Sequence, residues 1–86
     1  QEPLPEIIVE PEEIDYSLRR VDGKLYLIAV NTSKHLIDAK VSVADRSIMA
    51  KDIKVLFEER TIEPREPGFS DLFTAYEPHV YEFLSR

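Results

Sequence analysis

The sequence predicts an all-β fold, a two-sheet antiparallel β-sandwich of Greek-key or immunoglobulin-like type, and three observations carry the prediction. Apolar residues recur at every second position in Ile37 to Val43 and in Ile53 to Phe57, the period of a strand with one buried face. Turn residues punctuate the chain at intervals of about 8 to 12 residues, as they do in sandwiches and barrels. Aromatic residues gather toward the C-terminus, where all four Phe and two of the four Tyr fall between Asp52 and Phe83.

Each element has its own signal. Gln1 to Pro11 holds three prolines around Ile7-Ile8-Val9 and reads as a linker running into an edge strand, so the sandwich proper is expected over 12–86. Ile14, Tyr16 and Leu18 alternate with Asp15, Ser17 and Arg19, and Asp22-Gly23 then precedes a second apolar run, which predicts a hairpin over Ile14 to Asn31. That second run, Leu25 to Val30, is apolar at every position, so its outer face is either covered or offered to a partner. After the polar turn Asn31 to His35 comes a half-buried strand from Ile37 to Val43. A helical turn competes over Asp45 to Lys51, with Asp45 as its cap. Beyond the Ile53 to Phe57 alternation, Glu59-Arg60 turns into Thr61-Ile62-Glu63. Pro64 and Pro67-Gly68 break the chain before Phe69 to Thr74, and Pro78 opens a last strand, His79 to Leu84. The expected core is Tyr26, Ile28, Val30, Val41, Val43, Val55, Phe57, Phe73 and Tyr81. On that phase Leu25, Leu27 and Leu56 point outward as an apolar stripe that docks on a neighbouring domain.

Composition narrows the function classes. Eighty-six residues make one small domain, with room for a single core and little left for a cleft. Seventeen acidic against eleven basic residues give a net charge of −6, the wrong sign for nucleic acid or an anionic membrane surface. No apolar run approaches the ~20 residues of a membrane span. There is no cysteine, so neither disulfides nor thiolate metal sites contribute, and the compartment stays open between extracellular and cytoplasmic. The chain begins with Gln1, as expected of a piece of a longer polypeptide.

No constellation for catalysis, cofactor or metal stands out. Glycoside hydrolysis needs two carboxyls across a cleft, whereas Glu12-Glu13-Asp15 and Glu58-Glu59 fall on turns and strand exteriors. Asp15, Asp22 and Asp71 match no calcium-loop spacing. His35 and His79 are too few for a metal site. Sugar-binding modules stack rings on exposed aromatics, most often Trp, and Trp is absent; Tyr16 and Tyr76 are the candidates for such stacking, with Tyr76 also resembling a tyrosine corner.

The phrases VLFEERTIE, GFSDLF and AYEPHVYEF, with LYLIAVN upstream, resemble the C-terminal β-sandwich appended to glycoside hydrolases of the α-amylase and β-galactosidase kind and to related (β/α)8-barrel enzymes. The resemblance spans roughly Ile14 to Arg86 and rests on core and turn positions. In one place the chain departs from it, since Glu59 stands where Gly is frequent, which implies a turn of another type before Arg60. The resemblance implies a non-catalytic accessory domain of a carbohydrate-active enzyme, with no cofactor, whose partner is the neighbouring domain of the parent polypeptide. A carbohydrate-binding module and an immunoglobulin-like adhesion or assembly module are the alternatives.

Overall fold

A computed structural model describes residues 4–44, 52–65 and 67–83. Among the described residues eight strands, β1 (Ile7–Glu10), β2 (Ile14–Val21), β3 (Lys24–Asn31), β4 (Ile37–Val43), β5 (Ile53–Val55), β6 (Arg60–Ile62), β7 (Gly68–Phe73) and β8 (Pro78–Phe83), form two antiparallel sheets. One sheet has the order β1-β4-β7 and the other β2-β3-β8-β5-β6. They pack face to face as the expected sandwich. The competing helical turn over 45–51 lies outside the described residues, as does Leu84.

The hairpin β2–β3 turns on Asp22 and Gly23, whose φ angles of 50° and 80° are both left-handed, as a two-residue turn of this hand requires. That turn sets the register, with Val21 opposite Lys24, Leu18 opposite Leu27 and Ile14 opposite Asn31. β1 is an edge strand, but it belongs to the sandwich: it pairs with β4, and Ile7 and Val9 sit in the core. Within 1–11, read as a linker running into an edge strand, Ile7–Glu10 forms that edge strand.

The core lies between Ile7, Val9, Ala39, Val41, Val43, Phe69 and Phe73 of the smaller sheet and Ile14, Leu25, Leu27, Ala29, Ile53, Val55, Tyr81 and Phe83 of the larger. Phe69 meets Tyr81 edge-on with centroids 5.0 Å apart and Phe83 at 6.3 Å, so aromatic contacts lock β7 of one sheet to β8 of the other. Val41, Val43, Val55, Phe73 and Tyr81 are buried as expected. Gly68 leaves no room for a side chain: a Cβ there would stand 1.7 Å from the Val41 carbonyl oxygen.

Two parts of the expected core are corrected. β3 has the opposite phase, with Leu25, Leu27 and Ala29 facing in while Tyr26, Ile28 and Val30 face out. The hairpin register is the cause, because it places Leu27 beside Leu18 and Asn31 beside Ile14, on the apolar side of β2. Phe57 is the second correction, being 92% exposed. Strand β5 ends at Val55, and although Leu56 N–H still reaches Val80 O at 2.8 Å, the chain then turns left-handed at Phe57 (φ 68°), which ends the alternation.

These phases set measurable costs. Leu27→Ala is expected to destabilise the domain by about 2–5 kcal/mol and Gly68→Ala by about 1–3 kcal/mol through a forced strand shift, whereas Phe57→Ala costs under about 1 kcal/mol. Urea denaturation of the three variants ranks them. A Phe57→Ala penalty as large as that of Leu27→Ala contradicts the placement of Phe57.

Candidate functional site

Alternation along β7 brings Phe69, Asp71 and Phe73 to its inner side, and along β8 it brings His79, Tyr81 and Phe83 there. A carboxylate and an imidazole are thereby turned into the sandwich, near the open edge where β6 faces β7. A charge in such a place must be surrounded by donors or it becomes neutral.

Asp71 is surrounded. Arg60 donates to it in bidentate fashion, Nη1 to Oδ1 at 3.2 Å and Nη2 to Oδ2 at 2.8 Å. The Tyr81 hydroxyl donates to Oδ2 at 2.7 Å, and the Leu72 N–H donates to Oδ1 at 3.0 Å. Burial alone would push the Asp71 carboxyl up, but the hydrogen bonds from Arg60 and Tyr81, with the Arg60 charge, outweigh it and hold the group below the usual carboxylate range. Burial, reinforced by the Asp71 carboxylate, drives the Tyr81 hydroxyl well above the ordinary phenol value.

Arg60 also donates its Nε to Glu58 Oε1 at 2.9 Å, and the second Glu58 oxygen meets Nδ1 of His79. On the other side of the ring, His79 Nε2 lies 3.0 Å from Leu72 O and 3.5 Å from Glu77 Oε1. Each ring nitrogen thus faces an acceptor, the Glu58 carboxylate on one side and the Leu72 carbonyl on the other. His79 is 3% exposed and packs edge-on against Phe73, centroids 4.4 Å apart. Glu77 accepts from the Thr74 N–H at 2.8 Å, and chiefly for that reason its carboxyl also sits below the usual range. Among the described residues no buried side-chain nitrogen or oxygen lacks a partner.

Asn31 completes this end of the molecule. It is fully buried at the last position of β3, and its Nδ2 donates to His35 O at 2.7 Å and Thr74 O at 3.0 Å, while Oδ1 accepts from Ser33 N–H at 2.9 Å. It joins the end of β3 in one sheet to the end of β7 in the other. The hydrogen bonds of Asp71 on β7 to Arg60 and Tyr81 of the other sheet tie the two sheets together.

The residues singled out from sequence lie elsewhere. Leu25 is 3% exposed and Leu27 fully buried, which removes them from any docking surface. Leu56 is half-buried beyond β5, beside Val80 of β8. Tyr16 is 41% exposed on edge strand β2, and its hydroxyl donates to Ile7 O at 3.3 Å, tying β2 to β1 of the opposite sheet. Tyr76 is 63% exposed in the turn before β8 with φ 57°, and its backbone N–H donates to Ser33 O at 3.1 Å. Glu59 takes a left-handed conformation (φ 52°), the region that Gly favours. Asp15 and Asp22 stand at opposite ends of β2, away from Asp71 on β7, and no metal-binding cluster forms among the described residues. A groove of about 490 Å³ beside β7 is lined by Glu10, Lys40, Glu63, Arg65 and Pro67 and does not include the network.

The outer face of the larger sheet carries Tyr26, Ile28 and Val30 of β3, Pro78 and Val80 of β8, and Leu56. Ile28 is 38% exposed and stands opposite Val80, as Val30 stands opposite Pro78. Beside this strip, Phe57 holds its exposed ring on a left-handed backbone, a conformation that costs about 1–3 kcal/mol for a bulky residue. No protein-family model, curated protein or solved structure matches this chain.

Asp71→Asn is expected to lower stability at neutral pH by about 2–3 kcal/mol, less than a fully buried pair because Arg60 is partly exposed. Since the folded carboxyl titrates below its ordinary range, its contribution is complete above that range and is lost as pH falls through the folded value. Denaturation curves against pH for wild type and Asp71→Asn should diverge at neutral pH and converge in acid. Parallel curves throughout contradict the assignment.

Proposed function

We propose that the chain is a non-catalytic β-sandwich accessory domain of a carbohydrate-active enzyme, packing against a neighbouring domain of the same polypeptide and stabilising it. The observation that carries the docking part is the outer face of the five-stranded sheet, where Ile28, Val30, Val80 and Leu56 form an apolar strip on a domain that already has a complete core. Strips of this kind mark interfaces more often than isolated exposed side chains do. The assignment to a carbohydrate-active enzyme rests on the resemblance of the VLFEERTIE, GFSDLF and AYEPHVYEF phrases.

Ile28→Glu separates docking from folding. In the isolated chain it is expected to shift stability by no more than about 0.5–1 kcal/mol, as surface changes do. In the polypeptide that carries the domain, it should split a joint thermal transition in calorimetry and expose the inter-domain segment to protease. Unchanged melting and proteolysis of that polypeptide overturn the docking reading.

A further inference from the structure

Among the described residues the sandwich has four strand edges, β1 and β7 of the smaller sheet and β2 and β6 of the larger. Three of them are blunted. On β7 the Gly68 backbone pairs with Arg65 at 2.6 and 2.8 Å, the Leu72 N–H donates to Asp71 Oδ1 at 3.0 Å, and the Leu72 carbonyl lies 3.0 Å from His79 Nε2. β6 has three residues; β1 has four, followed by Pro11, and its Ile7 carbonyl is taken by Tyr16. β2 is eight residues long, and its edge is the exception.

The register fixes which backbone groups face this edge. Thr32 N–H reaches Glu13 O at 2.9 Å, which places Glu13, and by alternation Asp15, Ser17, Arg19 and Val21, in hydrogen bonding to β3. Ile14, Tyr16, Leu18 and Arg20 therefore turn their N–H and carbonyl groups outward. Pro11 O takes the Ile14 N–H and Asp15 Oδ1 takes the Tyr16 N–H, both at 3.0 Å, whereas Leu18 and Arg20 have no such cap among the described residues. Asp15, Ser17 and Arg19 lie on the outer face, opposite Val30, Ile28 and Tyr26, while Tyr16 and Leu18 lie on the core side, opposite Ala29 and Leu27.

The strand is complementary to itself. Two copies of β2 laid antiparallel about a two-fold axis at Ser17 set Tyr16 opposite Leu18 of the second copy, and because both turn their backbone groups outward, each such pair exchanges two hydrogen bonds. The same register sets Asp15 opposite Arg19 of the second copy on the outer face. An axis at Asp15, Arg19 or Arg20 puts like charges face to face, and one at Tyr16 or Leu18 leaves Asp15 opposite Ser17 or Val21, so charge selects the axis at Ser17.

We propose that the free edge of β2 pairs with the same edge of a second copy of this chain, joining two five-stranded sheets into one continuous sheet. Pairing moves the Tyr16 N–H from Asp15 Oδ1 to the Leu18 carbonyl of the second copy and leaves the Asp15 carboxylate to Arg19. The inference does not rest on the docking reading, which uses the face of this sheet and not its edge.

The chain has no cysteine, so Ser17→Cys introduces a single thiol. Across the axis the two Ser17 positions form a non-hydrogen-bonded pair with Cα atoms about 4.5 Å apart, within disulfide range. In a glutathione redox buffer Ser17→Cys is expected to give a disulfide-linked dimer at least about tenfold faster than Val21→Cys, which is also exposed but lies far from the axis. Sedimentation equilibrium of the wild-type chain up to about 1 mM should show monomer and dimer in exchange. Arg19→Asp, which sets carboxylates opposite each other, is expected to weaken the dimer at least about tenfold, and the double variant Asp15→Arg, Arg19→Asp to restore it. A chain that stays monomeric throughout makes Arg19 and Arg20 guards of the edge and overturns the pairing. Equal cross-linking of the two cysteine variants, or a double variant no tighter than Arg19→Asp, overturns it as well.

Discussion

The Asp71 carboxylate points into the sandwich between Phe69 and Phe73, and the architecture of one side of the molecule follows from keeping that charge there. An uncompensated carboxylate in such a position would be protonated or would open the edge to water. Arg60, Tyr81 and the Leu72 N–H supply four donor contacts to its two oxygens. Arg60 comes from β6 of the large sheet and Asp71 from β7 of the small one, so the ion pair bridges the sheets where strand hydrogen bonding does not. His79 and Glu58 extend the same clamp to the β5–β6 turn.

The opposite side solves the same problem with a neutral group. There β2 faces β1, and the Tyr16 hydroxyl reaches the Ile7 carbonyl across the gap. Asn31 closes the end between them. Its carboxamide can donate and accept at once, which lets one buried side chain satisfy the carbonyls of both His35 and Thr74 and the amide of Ser33. A sandwich this small has few apolar layers, so polar ties at its rims limit sliding of one sheet over the other.

Much of the fold was legible because strand period and turn chemistry are local. β4 begins and ends at the expected residues, and the Asp22-Gly23 turn formed as its sequence dictates. The phase of β3 was misread because Leu25 to Val30 is apolar on both sides, so periodicity within the strand carries no information. The information lay in the neighbouring strand: a two-residue turn forces Leu18 opposite Leu27, and β2 shows which side is wet. Asp71 and His79 were legible by the same device, since each shares the inward phase of flanking aromatics. Phe57 was beyond this logic, because a left-handed residue after β5 breaks the alternation that placed it inside.

The free surfaces of the domain are unequal, and that inequality orients any docking. Both lateral edges carry cross-sheet ties, at Tyr16 and at Arg60. The outer face of the three-stranded sheet is polar, with Glu10, Lys40 and Ser70 in one row and Ser42 opposite Gly68 in the next. Its exposed apolar residues, Ile8 and Leu72, each stand opposite a polar neighbour, Ser42 and Asp38. On the five-stranded sheet Ile28 stands opposite Ser17 on one side and Val80 on the other, and Leu56 continues that row toward the Phe57 turn. The network that holds Asp71 inside the sandwich also holds, through Glu58, the turn that carries the exposed Phe57.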